Sequence, residues 1–195
     1  MDVKKAAVET KDYIVSIRRE FHRHPELSLQ EFRTAQRIEE ELDKFGIPHT
    51  RVGGVLGTLK GAKDNGKVLV LRADIDALPI EETHECVYRS ENAGVMHACG
   101  HDAHAACLLG AAKILSENRD AFSGKVRLVF QPGEEIGKGA KPFVAAGVLD
   151  GAVLDEGDVA GAFLQIRGDV GGEQHTALPV GGNAPQQLRQ LVAAH

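Results

Sequence analysis

The run Lys67-Val68-Leu69-Val70-Leu71-Arg72 ends two residues before the triplet Asp74-Ile75-Asp76. A short, nearly unbroken apolar run of this kind suits a strand covered on both faces, because such a strand has no solvent side to keep polar. Val126 to Phe130 reads the same way and ends at Gln131-Pro132-Gly133, with Glu134-Glu135 next. Buried strands alternating with helical patterns predict an α/β layer fold. Polar clusters at the C-terminal ends of strands lie where such sheets usually hold ligands.

The segments around these strands fit that frame. Val3, Ala7, Ile14, Ile17 and Phe21 share one face of a helix expected over residues 3–21. Pro25 disfavours helix at the residue before it and marks a turn at His24-Pro25-Glu26. Ser28 and Glu31 form a capping-box pattern for a second helix. Its stripe is Phe32, Ala35, Ile38, Leu42 and Phe45, and Gly46 is placed to end it. A Gly-rich strand is expected over 52–60, a turn over 61–66 and a long polar loop over 74–102. Asp102 is positioned to cap a third helix over 103–118. A short helix over 138–147 tolerates Pro142 in its first turn. Beyond Asp150 the patterning loosens, and 168–195 reads as a poorly specified tail.

Bulk composition excludes several classes of function. The net charge of −5, with scattered Lys and Arg, offers no basic patch for nucleic acid. No stretch approaches the roughly 20 apolar residues that span a bilayer. The N-terminus shows no signal-peptide pattern, so the expected location is cytoplasmic. Three cysteines cannot all pair with one another, which argues against a secreted disulfide framework.

Three polar clusters carry chemistry. They are Asp74-Ile75-Asp76, His97-Ala98-Cys99-Gly100-His101-Asp102-Ala103-His104, and Glu134-Glu135. Each has an ordinary reading: the aspartates as loop caps, the glutamates as helix-dipole partners. The second cluster resists that reading, because three histidines and a cysteine fall within eight residues. Zinc and similar metals accept thiolate, imidazole and carboxylate together. Cys99 and His101, two apart in a loop, can converge on one ion. Of the two glutamates, one can hold a metal while the other takes the proton from an activated water. A thiol enzyme built on Cys99 is disfavoured, since there is no Cys-x-x-Cys and histidines beside a thiolate suit ligation.

Four collinear stretches resemble the zinc-peptidase-like amidohydrolases, a family that includes N-acyl-amino-acid, hippurate and auxin-conjugate hydrolases. They run from Arg18 to Ser28, from Arg72 to Ile80, from His97 to Asp102, and from Phe130 to Glu135. The resemblance implies a three-layer catalytic domain with a central mixed sheet flanked by helices. It implies Cys99, His101 and Glu135 as metal ligands, Glu134 as general base, and Asp76 as a carboxylate orienting the site. His97 and His104 match no ligand position of the family, and His22 and His24 receive no chemistry. The implied cofactors are divalent ions, Zn or Mn, two per site in relatives. The implied activity is cleavage of the amide bond of a small N-acyl amino acid or conjugate by metal-activated water.

This sequence departs from the family pattern at three places. Ile136 replaces a usual Gly, and Ala162-Phe163-Leu164-Gln165-Ile166-Arg167 lacks the His expected there, with His175 as a displaced alternative. The chain is also about half the usual family length. Residues 1–167 thus read as the N-terminal portion of a catalytic domain, with the lid and the C-terminal segment missing. That reading predicts self-association, and it leaves a non-catalytic metal-binding remnant as the alternative function.

Overall fold

The computed structural model describes residues 1–152. The segment Ala162–Arg167, the tail 168–195 and His175 lie outside the described residues. Four strands form one mixed sheet: β1 (His49–Arg51), β2 (Val55–Lys60), β3 (Lys63–Asp74) and β4 (Ser123–Gln131). Their order is β1-β2-β4-β3, with β2 antiparallel to β4 and β3 parallel to it. Parallel neighbours need a crossover, and helix α3 (His101–Glu117) supplies it between β3 and β4.

Helices α1 (Val3–Arg23), α2 (Phe32–Lys44) and α3 share one core cluster with the sheet. Ile38, Leu42, Leu59, Leu109, Leu128 and Phe130 are fully buried there. Burying such a side chain stabilises by about 1.5–3 kcal/mol, so this layer dominates the packing. Val126, Leu128 and Phe130 face that cluster, while Val129 joins Phe143 and Val148 in a second one. The alternation follows from the two-residue period of a strand. It puts helix α4 (Ala140–Ala145) on the opposite side of the sheet, giving helices on both faces as expected.

Two helix starts differ from their sequence signals. Helix α2 begins at Phe32 with Glu31 in the N-cap position, and neither the Ser28 nor the Glu31 side chain makes a cap hydrogen bond. The Ser28 hydroxyl donates instead to Asp76 Oδ2 at 2.6 Å, and Glu31 Oε1 accepts from the Gly133 amide at 2.8 Å. Leu29, between them, has φ of 63°, an uncommon conformation for a residue with a Cβ. Phe32, the first member of the expected stripe, is 69% exposed. Helix α3 begins at His101 with Gly100 as its N-cap at φ of 80°. Asp102 is therefore inside the first turn, where its buried carboxylate accepts from Arg18 and pairs with His22.

The expected turn at 61–66 falls within the irregular start of β3, where the register shifts between Lys63 and Val68. Gly66 there takes φ of 73°, and the Asp64 and Asn65 side chains accept the next amides, as turn residues do. No helix among the described residues is long and apolar enough to cross a membrane.

Candidate metal centre

The C-terminal ends of β3 and β4 and the N-terminus of α3 meet at one place. Asp74 ends β3, Asp76 follows it, Cys99 precedes α3, and Glu134 and Glu135 follow β4. The loop from 75 to 100 is held down along its length. Leu78 and Met96 exchange backbone hydrogen bonds, and the Ala77 amide donates to the Glu26 carbonyl. The Asn92 side chain donates to the Pro25 carbonyl at 2.6 Å. This pinning gives Cys99 a fixed position on an otherwise irregular segment.

Asp76 organises the site. It is 1% exposed, and its Oδ2 accepts from Ser28 Oγ at 2.6 Å and from the Glu135 amide at 3.0 Å. His101 Nδ1 donates to the Asp76 carbonyl at 2.9 Å and to its Oδ1 at 3.2 Å. Burial alone would raise the Asp76 pKa. The hydrogen bonds from His101, Ser28 and the Glu135 and Glu134 amides overcome that and hold it at about 2.

With Nδ1 committed, the free nitrogen of His101 is Nε2. It lies 3.6 Å from Asp74 Oδ1, 3.8 Å from Glu134 Oε2 and 3.8 Å from Glu135 Oε1. Glu135 Oε1 is buried without a hydrogen-bond partner. The Glu135 carboxylate beside Cys99, then burial and the charges of Glu134 and Asp74, push that thiol up to about 11. Donor atoms of Cys99, His101 and Glu135 all lie within 4.8 Å of one another. Carboxylates crowding a thiol and an imidazole are costly alone and favourable around a cation. The donors are sulfur, nitrogen and oxygen, and their arrangement fits a transition-metal ion.

The structure thus brings together Cys99, His101, Glu134, Glu135 and Asp76. Glu134 is the more open of the two glutamates, its side chain 42% exposed against 18% for Glu135. Asp74 and His104, named in the sequence clusters but given no ligand role there, also meet at this place. Asp74 is 6% exposed, and its Oδ1 accepts from His104 Nδ1 at 2.6 Å. Its Oδ2 accepts from Arg72 at 2.8 Å. The signal was the i, i+3 spacing of His101 and His104, which puts both on one helix face once the helix includes His101.

His97 is near the site in sequence but joins neither set. It is 4% exposed with both ring nitrogens unpartnered, and burial lowers its pKa to about 4. His22 bridges Asp102 at 2.7 Å and Glu82 at 3.1 Å, a structural clasp between α1, α3 and the loop.

The sequence model for peptidase family M20/M25/M40 matches residues 70–181. The chain belongs to that family. Among M20 relatives, the N-acyl-L-amino acid amidohydrolase of Geobacillus stearothermophilus is 46% identical over 154 residues, 77% of this chain and 41% of that protein. Thermostable carboxypeptidase 2 of Saccharolobus solfataricus is 48% identical over 155 residues, 76% of this chain and 39% of its own length. The chain thus spans about two fifths of these curated relatives. In three dimensions it resembles the YXEP protein of Bacillus subtilis, described as a dinuclear metal-binding peptidase of the M20 family. The TM-score is 0.69 at 42% identity, covering 76% of this chain and 42% of that one.

Proposed function

We propose that this M20 chain takes part in metal-dependent hydrolysis of the amide bond in N-acyl amino acids or amino-acid conjugates. The observation that carries the reading is the Cys99, His101 and Glu135 donor set with Glu134 exposed beside it. Divalent ions, zinc or manganese, would be held by those three residues. They would supply the Lewis acidity that activates water and polarises a carbonyl.

The remaining chemistry falls to the chain's own groups. Glu134 takes the proton of the attacking water and passes it to the leaving amine, a role that needs solvent access and a mobile carboxylate. Glu135 is fixed through its backbone amide on Asp76 and turns a buried, unpartnered oxygen toward His101. Asp76 fixes the proton on His101 Nδ1 and leaves Nε2 free, as carboxylates behind ligating histidines do. The names of the relatives support one bond class. A carboxypeptidase substrate is itself an amino acid acylated on its nitrogen, so both named activities break the same kind of amide.

Paired substitutions test the division of roles. Glu135→Gln should lower metal content, measured by elemental analysis after desalting. Glu134→Gln should keep the metal and lose about 10²–10⁴-fold in hydrolysis of a panel of N-acetyl amino acids. Reversed metal contents would exchange the two roles. Full occupancy in both variants would remove the glutamates from the site.

A further inference from the structure

We propose that a cleft beside the metal centre, walled by Leu29, Phe32 and Pro132, seats the acyl chain of the substrate and favours apolar acyl groups longer than acetyl. The proposal rests on the amide-hydrolysis reading above and names which half of the substrate this side of the chain takes. The cleft has a volume of about 110 Å³, and its apolar lining is Leu29, Phe32, Ala35, Ile75 and Pro132. A single ordered water needs about 10–15 Å³ of such space, so the cleft has room for a chain of several atoms. It adjoins the metal centre along the backbone. Ile75 stands between Asp74 and Asp76, and Pro132 is two residues before Glu134, a span of at most about 7 Å.

The residues around the cleft are inverted with respect to water. Glu31 and Thr34 are buried, whereas Leu29 and Phe32 are exposed. Leu29 is also held in place at a cost. Its φ of 63° is fixed from both sides, by Ser28 on Asp76 and by Glu31 on the Gly133 amide. Its side chain lies over Gly133, where an added Cβ would come within 2.8 Å of Leu29 Cδ2. Such uncommon backbone conformations persist where the surroundings over-determine them, and they cluster at ligand clamps. Charge decides which half of the substrate fits. Among the described residues, two charged ones line the cleft, Glu31 and Arg51. Arg51 is bidentate on Glu39, with Nε and Nη2 each 2.7 Å from a carboxylate oxygen. Glu31 brings a carboxylate, which repels the carboxylate of the amino-acid half. A mostly apolar lining with one anion therefore suits the uncharged acyl chain.

Calorimetric titration of the full chain with N-acetyl-, N-butanoyl-, N-hexanoyl- and N-octanoylglycine tests this by binding alone. The chain carries Glu134→Gln to stop turnover and is measured with and without zinc. Affinity should rise about three- to fourfold per methylene beyond acetyl, until the chain fills the cleft. Phe32→Ser removes an exposed ring, and Leu29→Gly removes a side chain while keeping the φ that glycine adopts freely. In both variants the gain per methylene should fall below about twofold, with circular dichroism confirming the fold. The proposal is overturned if acyl length has no effect, or if the gain persists in both variants. It is equally overturned if affinity follows the amino-acid side chain across a series of N-acetyl amino acids and Phe32→Ser abolishes that dependence instead. Zinc that alters the affinity of no ligand would sink the metal-dependent reading, whereas the acyl seat stands or falls on chain length in either state.

Discussion

Asp76→Asn is the most informative single change, because it keeps the shape of the side chain and removes only its charge and one acceptor. Oδ2 accepts from Ser28 Oγ at 2.6 Å and from the Glu135 amide at 3.0 Å. Oδ1 accepts from His101 Nδ1 at 3.2 Å. Asparagine has one acceptor oxygen and one amide donor. With its oxygen kept at the doubly bonded position, its NH2 group meets the N–H of His101, donor against donor. The imidazole can relieve this by moving its proton to Nε2, the nitrogen that faces the metal set. The Asp76 backbone carbonyl, which also accepts from Nδ1 at 2.9 Å, survives the change and resists that tautomer.

The two effects fix the expected size. Losing an acceptor behind a ligating histidine typically costs 10–100-fold in metal affinity. The surviving carbonyl places this case near the lower end, about tenfold, or about 1.4 kcal/mol. Separately, hydrogen bonds to a charged group contribute about 1.5–3 kcal/mol. The metal-free protein should therefore lose stability by about that much, since Asp76 is only 1% exposed. Zinc competition against a chromophoric chelator measures the first quantity, and urea unfolding with chelator present measures the second. A variant within twofold of wild type in affinity would refute the positioning role assigned to Asp76.

Leu109→Ala empties a fully buried position in α3, so urea unfolding should show a loss of about 2–5 kcal/mol; a loss below about 1 kcal/mol would contradict the core described above. His22 has a raised pKa because Asp102 accepts from it, against burial, with further support from Glu82. Its stabilisation should then be fully present below the unfolded value of about 6.5 and lost as pH rises through the folded value. The difference between wild type and His22→Gln in metal-free unfolding should accordingly shrink toward alkaline pH, with His97, Arg18 and Tyr88 the other charged or titratable groups nearby. A gap that widens with pH would show that His22 is folded in its neutral form.

The α/β layering was legible because strands buried on both faces have little freedom in composition. Val126 to Phe130 is such a strand, whereas the similar run Val68 to Leu71 lies at the edge of the described sheet, with Leu69 37% exposed. The candidate donor set was legible for a related reason, as Cys99 and His101 are sequence neighbours and Glu134 and Glu135 are adjacent. The helix caps misled because a capping signal is a small polar side chain ahead of a helix, and tertiary partners recruit the same atoms. Ser28 was taken by Asp76, 48 residues away, and Glu31 by Gly133, 102 residues away. Nothing local marks such a diversion. The pairing of Asp74 with His104 was hidden for the same reason: it spans 30 residues, and each alone looks like an ordinary polar residue.

The position of the α3 start is the detail on which the site depends most. Successive residues on an α-helix are separated by about 100°. Because the helix includes His101 and Asp102 in its first turn, their side chains diverge into two networks. His101 turns toward Asp76, Asp74 and the glutamates, while Asp102 turns back to Arg18 and His22 on α1. A helix starting at 103, with Asp102 spent on capping, would leave His101 in the loop. It would also remove the i, i+3 relation that stacks His104 near it, with ring centroids 5.7 Å apart. Gly100 makes the early start possible, since its φ of 80° is open to glycine at little cost and strained for most other residues. Gly100→Val should therefore perturb metal binding out of proportion to its effect on stability, although position 100 contributes no donor atom to the candidate set. A residue added there meets open space, so the cost is conformational and falls on the orientation of Cys99 and His101. Equal, small effects of Gly100→Val on affinity and stability would mean that the first turn of α3 is held by Asp102 alone.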